Sequence, residues 1–131
     1  MTRAEAYRRT LYQAGEVRVR IGRHSAAADR WMARHAVREA GFITGWNPMS
    51  RLMPSRWNAA AQMRLTRDLR GARFVTGVGA LRGWREEMLL VALPLRELAR
   101  LARRHRQAAI VLLRRGEPAR LIPTAPAARR S

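Results

Sequence analysis

The residues best equipped for chemistry fall into a few short stretches. Thr44, Trp46 and Asn47 stand together, Asn58 follows in the next segment, Glu86 and Glu87 come just after Trp84, and Gln107 precedes an apolar run. An Asn or Gln amide carries two N–H donors and an oxygen with two lone pairs, so Asn47, Asn58 and Gln107 suit a site that reads hydrogen bonds. A carboxylate at Glu86 or Glu87 suits acid–base work or a magnesium ion. Each residue also has a plainer role. Asn47-Pro48 fits an Asx-type turn, Thr44 can satisfy nearby backbone, Trp46, Trp57 and Trp84 fit a core or its rim, and Glu86 has many arginines to pair with.

Other chemistries find less support. Cysteine is absent, which excludes disulfides, thiolate metal sites and a cysteine nucleophile. His24, His35 and His105 lack metal-ligand spacing, and a zinc site needs three or four ligands, so no metal and no cofactor is expected. Ser50 and Ser55 have no His–acid partner near in sequence. Gly77-Val78-Gly79 leads into a hairpin rather than a helix, which is the wrong context for a phosphate loop.

A second set of residues is defined by charge. The chain has 27 basic residues, all arginine, against 9 acids, for a net charge of +18. Codon preference accounts for arginine in place of lysine but not for this excess. Self-repulsion at such a charge leads us to expect an anionic partner. Arg96, Arg100, Arg103 and Arg104 recur at spacings of three and four, along one helix face. With Arg106, and with Arg64, Arg67 and Arg70 on another helix, they could track the phosphates of RNA, ribosome or DNA. No RNP, KH or zinc-finger pattern is present, so shape and backbone contacts are expected rather than sequence readout. A solvated face is the plainer reading.

The elements that must carry these residues follow from periodicity. Glu5 to Tyr12 has the spacing of a short helical turn. Val17, Val19 and Ile21 alternate with arginines as a half-buried strand. Ser25 caps a helix with the stripe Ala28, Trp31, Met32 and His35, which Gly41 is expected to stop. Phe42 to Trp46 reads as a strand, Pro54-Ser55 opens a helix that Gly71 caps, and Arg73–Ala80 with Glu87–Leu93 form a hairpin. Pro94 begins a helix to about His105. Strands follow at Ala108–Leu113 and Arg120–Ile122. The order β-α-β-α-β-β-α-β-β predicts an α/β (α+β) fold with a single mixed sheet and helices packed on it. One domain over 1–122 is expected, then a disordered Ala/Pro/Arg-rich tail over 123–131. The longest apolar stretch, Met88 to Leu95, is far short of the roughly 20 residues a membrane helix needs. No secretory signal opens the chain, so a cytoplasmic location is the default. Oligomeric state stays open.

The run Phe42-Ile43-Thr44-Gly45-Trp46-Asn47-Pro48 with Ser50 and Asn58 resembles the F-I-T-A-W-N-P-x-S pattern of an uncharacterised bacterial family, domain-of-unknown-function family 3293. Trp84-Arg85-Glu86-Glu87 and Gln107-Ala108-Ala109 match its later W-x-E-E and Q-x-A elements, and Tyr7, Tyr12 and Ile21-Gly22 fit its upstream part. The resemblance covers most of the chain. Gly45 stands where Ala is usual, and Met88 where Ser commonly follows the glutamates. The family implies a fold and a pocket position, and no activity.

Two functions are therefore carried forward. One is a small basic protein binding a polyanion through its arginine-rich helix faces. The other is a small-ligand protein, or an enzyme on a phosphorylated or nucleotide-like anionic substrate, with a pocket formed by Thr44, Trp46, Asn47, Asn58, Trp84, Glu86, Glu87 and Gln107. The second requires Asn47 and Glu86 to share one cavity.

Overall fold

A computed structural model describes residues 1–47 and 51–124. In chain order these form α1 (Arg3–Arg9), β1 (Leu11–Ala14), β2 (Val17–Val19), α2 (Ala26–Arg34), β3 (Glu39–Ile43), α3 (Ser55–Asp68), β4 (Phe74–Leu81), β5 (Trp84–Val91), α4 (Leu95–Arg104), β6 (Ala109–Arg114) and β7 (Arg120–Pro123). The seven strands form one sheet in the order β2-β1-β4-β5-β3-β6-β7, with helices packed on it.

The α/β class and the single sheet agree with the sequence. The mixture of strand directions does not, because all six pairings are antiparallel. The helical crossovers do join parallel strands, β3 to β4 through α3 and β5 to β6 through α4. Each of these pairs is split by a strand inserted between its members, β5 in the first and β3 in the second. Crossovers are legible along the chain; insertion of a distant strand is not.

Two further differences have local causes. The helix expected over Glu5–Tyr12 stops at Arg9, where the Thr10 N–H and hydroxyl both donate to the Ala6 carbonyl. Tyr12 then lies in β1, which pairs with β2 across a two-residue turn opened by Gly15 at φ +55°. The helix expected to stop at Gly41 ends at Arg34 instead. Ala36 takes the left-handed conformation at φ 54°, and the Val37 N–H donates back to the Met32 carbonyl. This is a Schellman-type stop made without glycine, and it lets β3 begin at Glu39, upstream of the expected Phe42. The strand sequence placed at Phe42–Trp46 therefore ends at Ile43, leaving Thr44 to Asn47 in the following loop.

Alternation along the strands divides the core. Tyr12, Ala14, Val17, Val19, Ala40, Phe42, Leu90, Val111 and Leu113 pack with Trp31 and Met32 of α2. On the other face Ile43, Leu89, Val91, Ile110 and Leu112 pack with Leu65 of α3 and with Leu98 and Ala102 of α4. Period-two alternation in strands covered on both sides produces two such layers. Glu39 helps seat α4. Its Oε1 accepts from the Leu95 N–H at 3.1 Å, and its Oε2 pairs with Arg114 of β6. Pro94 offers α4 no side-chain cap, so the Glu39 carboxylate at the start of β3 takes that role.

Residues 123 and 124, assigned to the tail by sequence, belong to the folded unit. Pro123 ends β7 and pairs with Ala109, and buried Thr124 donates to the Gln107 carbonyl at 2.7 Å. The rest of the expected tail, 125–131, and the motif residues Pro48 and Ser50 lie outside the described residues.

β1 and β4 approach so closely at Gly77 that a Cβ there would lie 2.2 Å from the Gln13 carbonyl oxygen. Gly77→Ala is therefore expected to destabilise the protein by about 1–3 kcal/mol, the range for overpacking, measured as a fall in the midpoint of urea denaturation at unchanged slope.

Candidate functional site

One end of the sheet gathers the segment before β1, the C-terminal ends of β3 and β4, and the starts of β5 and β6. Thr10, Thr44, Leu81, Trp84 and Gln107 thus come together from five parts of the chain. With Arg3, Ala6 and Tyr7 of α1 they line a half-open cavity of about 540 Å³. Its apolar wall includes Tyr7, Tyr12, Phe42 and Met88, and its polar side chains include Asn47, Glu86 and Gln107.

The loop after β3 is held by paired amides. Asn47 is left-handed at φ 47°, a conformation asparagine tolerates better than most residues. Its N–H donates to Asn58 Oδ1 at 2.9 Å, and Asn58 Nδ2 donates to Asn47 Oδ1 at 3.0 Å. The Met53 N–H adds a second donor to Asn47 Oδ1 at 2.9 Å. With its oxygen fully used, the Asn47 amide directs Nδ2 to Glu86 Oε2 at 3.3 Å.

Upstream, the Thr44 hydroxyl donates to the Glu87 carbonyl at 2.6 Å and accepts from the Trp46 N–H at 3.0 Å. Gln62 of α3 accepts from the Gly45 N–H at 2.8 Å. A Cβ on residue 45 would meet the Ala61 carbonyl oxygen at 2.8 Å, so in this chain glycine permits the close seat of α3.

Gln107 is fixed by the end of α4. Arg106 is left-handed at φ 58°, and the Gln107 N–H donates to the Ala102 carbonyl at 2.8 Å. The side-chain Nε2 donates to the Trp46 carbonyl at 3.0 Å and to the His105 carbonyl at 3.3 Å. Both side-chain N–H groups are thereby used.

Of the eight residues singled out by sequence, Thr44, Asn47, Trp84, Glu86 and Gln107 line the cavity. Asn58 is buried behind Asn47, and Trp46 contributes its backbone carbonyl to Gln107. Glu87 is exposed; it neighbours Glu86 in a strand and so points to the opposite face. Tyr7, Thr10 and Tyr12 line the cavity but were not among the pocket candidates. The available signal was the alternation Tyr12, Ala14, Val17, Val19 across Gly15, the pattern of a hairpin.

Glu86 is the most perturbed acid. Burial pushes its pKa up to about 7, against the lowering effect of the Asn47 hydrogen bond. Burial likewise raises the Tyr12 hydroxyl, which donates to the Tyr7 carbonyl at 3.1 Å. A carboxyl facing a cavity and poised near neutrality marks a functional-site candidate.

The arginines singled out by charge are elsewhere. Arg64, Arg67 and Arg70 at α3, and Arg96, Arg100, Arg103, Arg104 and Arg106 at α4, are all exposed. Both helices pack on the face of the sheet opposite Tyr12, Phe42 and Met88. Asp68 sits between them, 2.7 Å from His105 Nε2 and 3.6 Å from Arg104 Nε. The remaining histidines have structural neighbours: His24 pairs with Asp29 at 2.6 Å, and His35 packs on Trp31 with ring centroids 4.4 Å apart. Among the described residues no cluster of three or more His, Cys, Asp or Glu side chains is arranged to hold a metal.

The family model described as "Protein of unknown function (DUF3293)" matches residues 43–110, more than half of the chain, and the chain belongs to that family. The matched segment contains Thr44, Asn47, Asn58, Glu86 and Gln107. Neither the curated proteins nor the solved structures give a match.

Because the folded-state pKa of Glu86 lies above the ordinary glutamate value of 4.5, its contribution favours the fold at acid pH and is lost as pH rises through about 7. A tenfold change in proton affinity is worth about 1.4 kcal/mol, so ionised Glu86 costs the fold on the order of 3 kcal/mol. Glu86→Gln should keep the acceptor for Asn47 and remove that cost. In thermal melts its advantage over the parent protein is expected to grow from pH 5 to pH 8; an advantage independent of pH would contradict the assignment.

Proposed function

We propose that this family member binds a small molecule in the cavity at the end of the sheet, with Glu86, Asn47 and Gln107 supplying its polar contacts. The observation that carries this reading is the shared cavity itself: Asn47 and Glu86, far apart in sequence, are hydrogen-bonded at 3.3 Å and both line a cavity of about 540 Å³. That size lies within the range of small-ligand pockets, which are mostly apolar with a few fixed polar groups. Catalysis on the bound molecule would use Glu86 as the acid or base, since its carboxyl is poised near neutral pH.

The test is a fragment screen by protein-observed NMR on the full chain, paired with Ala6→Phe. Ala6 lines the cavity from α1, and a phenyl group there would occupy it without altering Glu86, Asn47 or Gln107. Cavity ligands are expected to bind the parent protein and to lose at least tenfold in affinity in Ala6→Phe. Fragments that bind both proteins equally would remove the reading.

A second reading, polyanion binding, is favoured by one specific observation. Arg64 and Arg67 of α3 and Arg96, Arg100, Arg103 and Arg104 of α4 are exposed, with Arg70 and Arg106 just past the helix ends, and both helices share the face of the sheet opposite Tyr12, Phe42 and Met88. Phosphate contacts of this kind give binding whose log affinity falls linearly with log salt. In titrations against total RNA and duplex DNA, Arg100→Glu with Arg103→Glu is expected to weaken binding by about tenfold or more at low salt and to flatten the salt slope. Affinity unchanged by salt or by the charge reversals would remove this reading and leave the cavity reading intact.

A further inference from the structure

The hydrogen bonds already made at the cavity wall determine which groups are left for a ligand. Asn47 Oδ1 accepts from Asn58 and Met53, and Asn47 Nδ2 gives one hydrogen to Glu86. Gln107 spends both side-chain N–H groups on the Trp46 and His105 carbonyls, which fixes the orientation of its amide. The Thr44 hydroxyl gives its hydrogen to the Glu87 carbonyl, Thr10 gives its own to Ala6, and Tyr12 gives its own to Tyr7. Most donors on the wall are therefore committed.

The acceptors are not. Glu86 Oε1 and Gln107 Oε1 accept no hydrogen bond among the described residues. They are not sealed in the core either. The side-chain atoms there that are fully buried without a partner are His35 Nδ1 and Trp46 Nε1. Both residues line the cavity, although Glu86 is only 7% and Gln107 only 5% exposed. Two well-buried lining residues thus each keep a side-chain oxygen that no described group donates to and that is not sealed from solvent. A buried acceptor left without a donor is costly, so a ligand that brings N–H groups gains more here than one that brings oxygens.

The surrounding wall is apolar and aromatic. Tyr7 and Trp84 present aromatic surface to the cavity, Trp84 at the hairpin between β4 and β5 with 40% of its surface exposed, while Tyr12 and Phe42 lie behind the wall at 1% and 2% exposed. Such walls take a flat ring and offer it stacking or edge contacts. An anion is poorly served. Among the described lining residues Arg3 is the arginine and already has a partner, while the Glu86 carboxyl is part of the same lining.

Taking the cavity as a ligand site, we infer that its ligand is a flat, ring-sized molecule bearing amino- or amidine-type N–H donors that face Glu86 and Gln107, and not a phosphorylated compound. This deepens the cavity reading and departs from the phosphorylated substrate that charge alone suggested. The arginines that favour phosphate are on the opposite side of the sheet, so a single phosphorylated ligand cannot use both.

The experiment is an NMR titration of the full-length protein with four probes built on similar rings: benzamidine, 2-aminopyridine, toluene and phenyl phosphate. The Trp84 indole and the Gln107 side-chain amide report on the cavity. Benzamidine and 2-aminopyridine are expected to shift both reporters and to bind at least tenfold more tightly than toluene or phenyl phosphate. Glu86→Leu should remove that preference while leaving toluene binding in place, and Glu86→Gln, which retains an acceptor oxygen, should preserve 2-aminopyridine binding better than Glu86→Leu does. Equal binding of toluene and benzamidine in the parent protein would overturn the donor-bearing class and leave the cavity a ligand site. Preference for phenyl phosphate would also overturn it. Failure of all four probes to shift either reporter would overturn the cavity reading as well.

Discussion

Asn47 and Asn58 exchange hydrogen bonds across the loop that joins β3 to α3, and the geometry of the site follows from that exchange. The pair satisfies a backbone N–H, fixes a left-handed asparagine and orients one amide hydrogen toward Glu86. Buried amides are stable only when their partners are present, so either residue alone would be a liability. Together they set the start of α3 against the end of β3. The cavity mouth, the Gly45 contact with α3 and the Glu86 environment all depend on that placement. Gln107 does related work from the other side by tying the end of α4 to the Trp46 carbonyl.

Burial then gives Glu86 its character. In water a glutamate is ionised at neutral pH; here desolvation outweighs the Asn47 hydrogen bond, and the carboxyl is poised near pH 7. A chain with 27 arginines would be expected to pair nearly every acid. Glu39 does pair with Arg114, and Asp68 lies between His105 and Arg104. Glu86 instead faces an amide and an apolar enclosure. The hydrogen-bond partner of this carboxyl is the Asn47 amide, and the arginines of α3 and α4 lie on the other face of the sheet.

Much of this was legible along the chain. The polar residues at the strand ends stand out by type, and five of the eight line the cavity. The arginine stripe of α4 stands out by spacing, and every member is exposed. Glu87 was indistinguishable from Glu86 by type; strand alternation separates them only once the register of β5 is known. Tyr12 was included in the first helix because Tyr7 and Leu11 stand four apart, and the bonds from Thr10 to Ala6 that end α1 early have no strong sequence mark. The stop at Ala36 escaped because glycine is the usual left-handed residue at such a position and none stands there, whereas α4 ends where its sequence places the end, near His105.

Local chemistry therefore determined the types of element, their approximate order, the residues able to form hydrogen bonds and the strongly basic surface. Those properties depend on neighbours within a few positions, through periodicity, capping and charge. Tertiary structure decided the rest: the insertion of β5 between β3 and β4, the meeting of Thr10, Asn47, Glu86 and Gln107 at one end of the sheet, and the separation of that cavity from the arginine face. These depend on which distant strands pair and in which register. That choice is made by the burial of two complete sheet faces at once, which no short stretch of sequence contains.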